Sequence, residues 1–242
     1  MNSSCTTVTE QEQKEWVQRV IPLPKEISLD AKVVLSPDDI ALVLRTNAGD
    51  IEKNALGEIE QLFRQRSGGV PADGKFTIIV GVMDERGDLC GCKVDQAERL
   101  RGVPNRSQAY IIQPSGEDKL LVTSIDEVGV FYGVQTLVQL LSPGLSSSQA
   151  VIPLADVFDW PDTEERGVWN HPEEEEWMAW NSEVKLNYSN TPLTVLKRIE
   201  RDRPNRVSFD AEFARKAQLR GYRSVVQLTH LNFLHLDGLF EA

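Results

Sequence analysis

The side chains best suited to chemistry in this 242-residue chain are few and scattered. It has three histidines, His171, His230 and His235. Cys90-Gly91-Cys92 sets two thiols one residue apart, but no second Cys or His pair follows at the spacing of a zinc site. With Cys5 the cysteine count is odd, and the pair reads as ordinary reduced cysteines in a loop. Asp84-Glu85 are neighbouring acids, yet they open a charged, glycine-containing loop over residues 84–93 and read as a solvated turn rather than an acid–base pair. Glu173, Glu174, Glu175 and Glu176 follow Pro172. Proline suits a first helical turn and acids there face the positive helix end, so these four compensate a helix dipole rather than build a metal or catalytic cluster. These patterns identify no catalytic group, metal site or cofactor.

The elements that must carry any site are clearer. Over residues 126–141, Val130, Val134, Leu137, Val138 and Leu141 recur at helical spacing, and Phe131 and Leu140 widen the stripe. This helix is the core element of its domain. Asp126 is placed to cap it, while Gly129 and Gly133 let a strand approach closely at about 1 kcal/mol each in helix propensity. Residues 1–16 are polar and read as a flexible arm. Residues 31–36 and 40–46 are β-branched runs separated by a Ser-Pro-Asp-Asp turn. From residue 50 to 66, Ile51, Ala55, Leu56, Ile59, Leu62 and Phe63 share one helical face that Gly68-Gly69 ends. Residues 75–83 read as a central strand, residues 108–113 and 119–125 as a hairpin, and residues 150–158 as a last strand. The sum is an α+β fold, a small sheet with two helices on one face.

Composition narrows the partners. A net charge of −11 and no Lys/Arg stripe disfavour nucleic acid. No stretch of about 18 apolar residues argues for a membrane span. The first residues lack a basic segment followed by an apolar one, so no export signal is visible and the compartment is left open.

Several motifs in one order then become specific: Phe131-Tyr132-Gly133, Gln135-Thr136-Leu137, Gln139-Leu140, Ile152-Pro153, Asp159-x-Pro161 and Arg166-Gly167. Residues 17–169 resemble the small N-terminal domain, and its junction to a catalytic barrel, of family 20 glycoside hydrolases, the β-N-acetylhexosaminidases. The same small domain precedes barrels in related α-glucuronidases and α-N-acetylglucosaminidases. The resemblance divides the chain into an arm (1–16), a hexosaminidase-like domain (17–158) and the first part of a (β/α)8-type barrel (159–242). In that barrel segment residues 166–170 are the first strand, Trp177, Trp180 and Val184 give the first helix its apolar face, residues 209–219 are the second helix and residues 222–228 the third strand.

The resemblance also implies chemistry. Arg166 is similar to the arginine that hydrogen-bonds hydroxyls of the terminal sugar, a task that suits the fixed donor fork of a guanidinium. His230, just after the third strand, falls on the side where barrel sites form. In the family the sugar's acetamido oxygen attacks its own anomeric carbon while an adjacent Asp-Glu pair in an H-x-G-G-D-E-type motif assists. That motif is not among these residues; His235-Leu236-Asp237-Gly238 is a superficial echo. The implied partner is carbohydrate, a terminal N-acetylhexosamine or related sugar. The expected behaviour is inactivity alone: the residues read as a fragment or truncated homologue of a longer glycosidase, or as a chain that closes an exposed barrel edge by self-association. The alternative is a non-catalytic sugar-binding or interaction module built from the same parts.

Overall fold

The computed structural model describes residues 4–71, 73–168, 175–189, 196–198, 207–209 and 211–223. The chain forms two compact units, Met1–Glu164 and Glu165–Ala242. In the first, the elements in order are β1 (Ser4–Thr7), α1 (Glu10–Val17), β2 (Glu26–Leu35), β3 (Ile40–Leu44), α2 (Asp50–Ser67), β4 (Phe76–Val82), β5 (Asp88–Leu89), β6 (Cys92–Lys93), α3 (Ala97–Gly102), β7 (Tyr110–Pro114), β8 (Lys119–Ser124), α4 (Glu127–Leu141) and β9 (Ala150–Asp159). Seven strands make one mixed sheet in the order β1-β2-β9-β7-β8-β4-β3. β3, β4 and β8 run parallel, and the other neighbours pair antiparallel.

The two crossovers explain the helices. α2 links parallel β3 and β4, while α4 links β8 to β9 with β7 between them, so each must lie over the sheet. Alternation then sorts the side chains. Phe76, Ile78, Val80, Tyr110, Ile112, Leu120 and Val122 join the core beneath α2 and α4, whereas Ile79, Ile111 and Leu121 face the opposite side, closed by β5, β6 and α3. Strands covered on both faces carry near-continuous apolar runs, which is why residues 76–82 show no alternation.

α4 is held as its sequence implies. The Asp126 carboxylate accepts the Val128 N–H at 3.0 Å, Gly129 and Gly133 lie against the sheet, and Tyr110 Oη shares a 2.7 Å hydrogen bond with Thr136 Oγ1. α2 ends at Gly68 in the left-handed region (φ 82°), as expected of a helix stopped by glycine.

The N-terminus departs from expectation. Where the sequence reads as a flexible arm, Ser4–Thr7 pair with β2 and Glu10–Val17 form a helix with Trp16 buried. The local reason is Thr9-Glu10-Gln11-Glu12, a reciprocal cap in which the Thr9 hydroxyl accepts the Glu12 N–H and the Glu12 carboxylate accepts the Thr9 N–H. The two β-branched runs around Ser36 are strands as expected, β2 and β3, and they lie near opposite ends of the sheet.

In the second unit β10 (Gly167–Val168) pairs parallel with β11 (Tyr188–Ser189), and α5 (Glu175–Glu183) lies between them in sequence. β12 (Leu196–Arg198) and β13 (Val207–Phe209) pair antiparallel, an element absent from the sequence reading, and α6 (Ala211–Leu219) follows. Trp177 and Trp180 are not the buried face of α5. They are 40% and 51% exposed and stack edge to face, while Met178, Asn181 and Ser182 turn inward. Met178 instead meets Ala217 and Tyr222. Helical spacing alone cannot choose between two adjacent stripes of a nine-residue helix when one carries tryptophans and the other small polar residues. Most of the expected third strand, residues 224–228, lies outside the described residues.

Candidate functional site

Arg166 stands just before β10, and its backbone is fixed on both sides. Its N–H donates to Asn187 Oδ1 at 2.9 Å, and its carbonyl accepts the N–H groups of Asn187 and Tyr188 at 2.8 and 3.1 Å. The side chain is half-buried, and Nε and Nη2 donate to the Lys185 carbonyl at 3.2 and 3.0 Å. The turn after α5 presents that carbonyl. Lys185 takes φ 61°, its N–H donates to the Ser182 carbonyl, and the Leu186 N–H donates to the Asn181 carbonyl. Lys185 and Asn187 are both buried. Gly167 follows for a steric reason: a Cβ there would overlap the Tyr188 carbonyl of the paired strand. The Lys185 carbonyl thus accepts from two guanidinium nitrogens and sets the plane of the group. His230, with His171 and His235, lies outside the described residues.

The first unit holds a different kind of charged centre. Glu52 at the start of α2 is fully buried, and its carboxylate accepts from Arg45 at 2.5 and 2.7 Å, from the Gly49 N–H at 2.8 Å and from the Val82 N–H at 2.7 Å. Burial by itself pushes this carboxyl up, but the bonds from Arg45, Gly49 and Val82 together outweigh it and hold the group below its ordinary value. Glu127 at the start of α4 accepts the Ile51 N–H at 3.3 Å. Every oxygen of Glu52 is satisfied from within the fold, so its role is to join β4, α2 and the residues after β3. Asp159, at the end of β9, accepts the Lys25 N–H at 3.1 Å. Asp84 forms the turn expected of it, accepting the Arg86 and Asp88 N–H groups at 2.8 and 2.9 Å, and those bonds lower its carboxyl below the usual range, the Asp88 bond most. Among the described residues no group of three or more His, Cys, Asp or Glu side chains could hold a metal ion.

A groove of about 280 Å³ runs between α1 and residues 143–144, lined by Glu12, Glu15, Trp16, Arg19, Pro143, Gly144 and Val151. Composition hides this groove, because the polar residues of α1 read as part of an arm; the Thr9-to-Glu12 capping pattern is the signal in the sequence that reveals the helix. The Glu12 carboxyl in this groove lies at about 2, its hydrogen bond from Lys32 being the largest cause. The groove thus carries side chains of both charges beside Trp16.

Residues 17–160, more than half of the chain, match the family model described as glycosyl hydrolase family 20, domain 2. Among solved structures, an exo-β-N-acetylglucosaminidase of family 20 from Vibrio harveyi, solved with N-acetylglucosamine, aligns with a TM-score of 0.55 at 15% identity, over 91% of this chain and 37% of that one. A mutant β-hexosaminidase from Streptomyces plicatus in complex with its product aligns with a TM-score of 0.56 at 16% identity, over 86% of this chain and 45% of that one. A chitobiase from Flavobacterium johnsoniae aligns with a TM-score of 0.54 at 16% identity, over 87% of this chain and 34% of that one. At such identities the likeness is one of fold, and the chain spans less than half the length of each of these structures.

Proposed function

The chain belongs to glycosyl hydrolase family 20, whose domain 2 it carries, and from that membership we propose that it supplies the non-catalytic domain and barrel opening of a β-N-acetylhexosaminidase-like glycoside hydrolase. The whole enzyme would remove terminal N-acetylhexosamine residues by substrate-assisted retention. In this reading residues 17–158 are the small α+β domain and residues 159–242 the first part of a (β/α)8-type barrel. The observation that carries it is the order of parts: the matched domain leads directly into a parallel β10–α5–β11 unit with Arg166 at its start.

Arg166 is then the sugar-binding residue this chain contributes. The Lys185 carbonyl holds the guanidinium plane, so the fork meets hydroxyls of the terminal sugar without first being ordered. His230 is assigned to the same sugar's surroundings. The acid that protonates the leaving oxygen and the carboxylate that orients the acetamido group are not assigned to any residue of this chain, since the Asp-Glu motif is absent from its sequence.

The test is hydrolysis of a chromogenic β-N-acetylglucosaminide by the purified chain beside an Arg166→Ala variant, with binding of N-acetylglucosamine followed by NMR. The chain is expected to give no turnover, and the variant to weaken sugar binding by about 10-fold or more, as loss of a charge-assisted hydrogen bond requires. Turnover by the chain that disappears in the variant would overturn the placement of the acids. Binding that ignores the substitution would remove Arg166 from the site.

A further inference from the structure

The Cys90-Gly91-Cys92 motif, unremarkable as a metal site, occupies a specific piece of geometry. β5 and β6 pair antiparallel with Leu89 opposite Cys92, so Cys90 and Gly91 form a two-residue hairpin loop. Both take positive φ, 51° and 81°, as a type I′ turn requires. A left-handed Gly91 is the mirror of a helical residue, and two steps along that path set the Cα atoms of the flanking cysteines about 5.4 Å apart. That lies inside the window of about 4.4–6.8 Å within which a disulfide closes. Both thiols are free, and their exposure differs: Cys90 is exposed, while Cys92 is half-buried against the cluster that holds Leu89, Met83 and Val94. The hairpin is anchored by the buried Leu89 and by the Val94 N–H, which donates to the Gly87 carbonyl at 2.9 Å.

We propose that the Cys90-Gly91-Cys92 turn is a dithiol–disulfide exchange site that takes low-molecular-weight disulfides. The Cys90 thiolate attacks one sulfur of the incoming disulfide, forming a mixed disulfide and releasing the first thiolate. Cys92 then loses its proton and attacks the Cys90 sulfur, expelling the second thiolate. The two protein thiols are oxidised to one intrachain disulfide, the small disulfide is reduced to two thiols, and the two protons lost by the cysteines end on those products. The exposed cysteine is the one that reaches a disulfide in solvent, and the sheltered one resolves the mixed disulfide. Partial desolvation of its sulfur and the neighbouring Cys92 push the Cys90 thiol up against the pull of Arg45, so the first step draws on a small thiolate fraction and is slow. Closing a three-residue ring removes little chain entropy, which makes the bridge readily reduced and the cycle reversible rather than a structural staple. The site shares no residue with the proposed sugar-binding fork, and the proposal stands apart from that reading.

The experiment equilibrates the full chain with glutathione disulfide, traps remaining thiols with a maleimide, and locates products by peptide mass spectrometry. Cys90 and Cys92 are expected to disappear together into an intrachain disulfide that keeps no glutathione, while Cys5, an exposed thiol on β1, retains a glutathione adduct and reports that the oxidant was active. Cys92→Ser should leave glutathione trapped on Cys90, with its release slowed at least about tenfold. The proposal is overturned if the unmodified chain keeps glutathione on Cys90, if it links chain to chain, or if both cysteines stay maleimide-reactive while Cys5 is blocked. Because the decisive readout is on the unmodified chain, it does not depend on any variant folding.

Discussion

Replacing Glu52 by alanine is expected to lower the unfolding free energy of the first unit by about 3–5 kcal/mol, because removal of one partner strands the rest of a buried network. The carboxylate is fully buried and is the acceptor for Arg45, Gly49 and Val82 at once. Without it two backbone N–H groups lose their partner, Arg45 loses both of its bonds to this carboxylate, and a side-chain-sized void opens at the start of α2. The melting temperature should fall by on the order of 10 °C. Glu52→Gln keeps the volume and one acceptor, and should fall between the two. The pH dependence has a definite sign. The folded-state carboxyl is depressed, so its stabilisation is fully present above the unfolded value of about 4.3 and is lost as pH falls through the folded value. Urea midpoints from about pH 7 down to 3 should therefore show the gap between the native chain and Glu52→Gln largest near neutrality and closing in acid. A gap that is absent, or that widens in acid, would mean that Arg45 and Glu52 contribute nothing to folding through their charge.

Glu52 also marks where sequence reading stops. Its helix was legible from Ala55, Ile59, Leu62 and Phe63, all of which are buried. Glu52 sits among them as one more acid in a helical first turn, and nothing local separates a solvated dipole-compensating glutamate from one that accepts an N–H from a strand thirty residues on. The strand of residues 76–82 was legible because burial on both faces makes an unbroken apolar run, and those of residues 110–114 and 119–124 because they alternate on either side of a turn. Their order was legible only at the β7–β8 hairpin, since the other neighbours are set by crossovers longer than any local pattern. The arm was misjudged on composition, with the capping pattern from Thr9 to Glu12 outweighed by the polarity around it. On α5 the error ran the other way, from weighing tryptophans above helix geometry. Arg166 was singled out by its neighbours in a motif rather than by any pattern of its own. The structure adds what the motif lacks, the Lys185 carbonyl that fixes its plane.

Three glycines inside helices give the same substitution opposite signs, and this is the second result expected to be large. Gly129 lies where α4 meets the sheet. A Cβ there would overlap both the Ser124 hydroxyl and the Ala109 carbonyl, two groups that are themselves hydrogen-bonded at 2.6 Å. The carbonyl belongs to the backbone and cannot rotate away, so Gly129→Ala must displace the helix or break that bond. Overpacking costs about 1–3 kcal/mol and an orphaned buried polar group about as much again, against about 1 kcal/mol regained in helix propensity. The net expectation is a loss of about 2–4 kcal/mol. Gly133→Ala should be milder, because its nearest neighbours are side-chain carbons, Val122 Cγ1 at 2.9 Å and Tyr110 Cδ2 at 3.2 Å. Gly57, in the middle of α2, has nothing within 4 Å of such a Cβ. Gly57→Ala removes only the backbone freedom of the unfolded chain and should stabilise by about 0.5–1 kcal/mol. Equilibrium urea unfolding of the three variants orders them directly. If Gly129→Ala matched Gly57→Ala in sign, the close approach of α4 to β8 and to the residue before β7 would not be the reason for glycine at that position, and the packing that makes α4 the centre of this domain would have to rest on its apolar stripe alone.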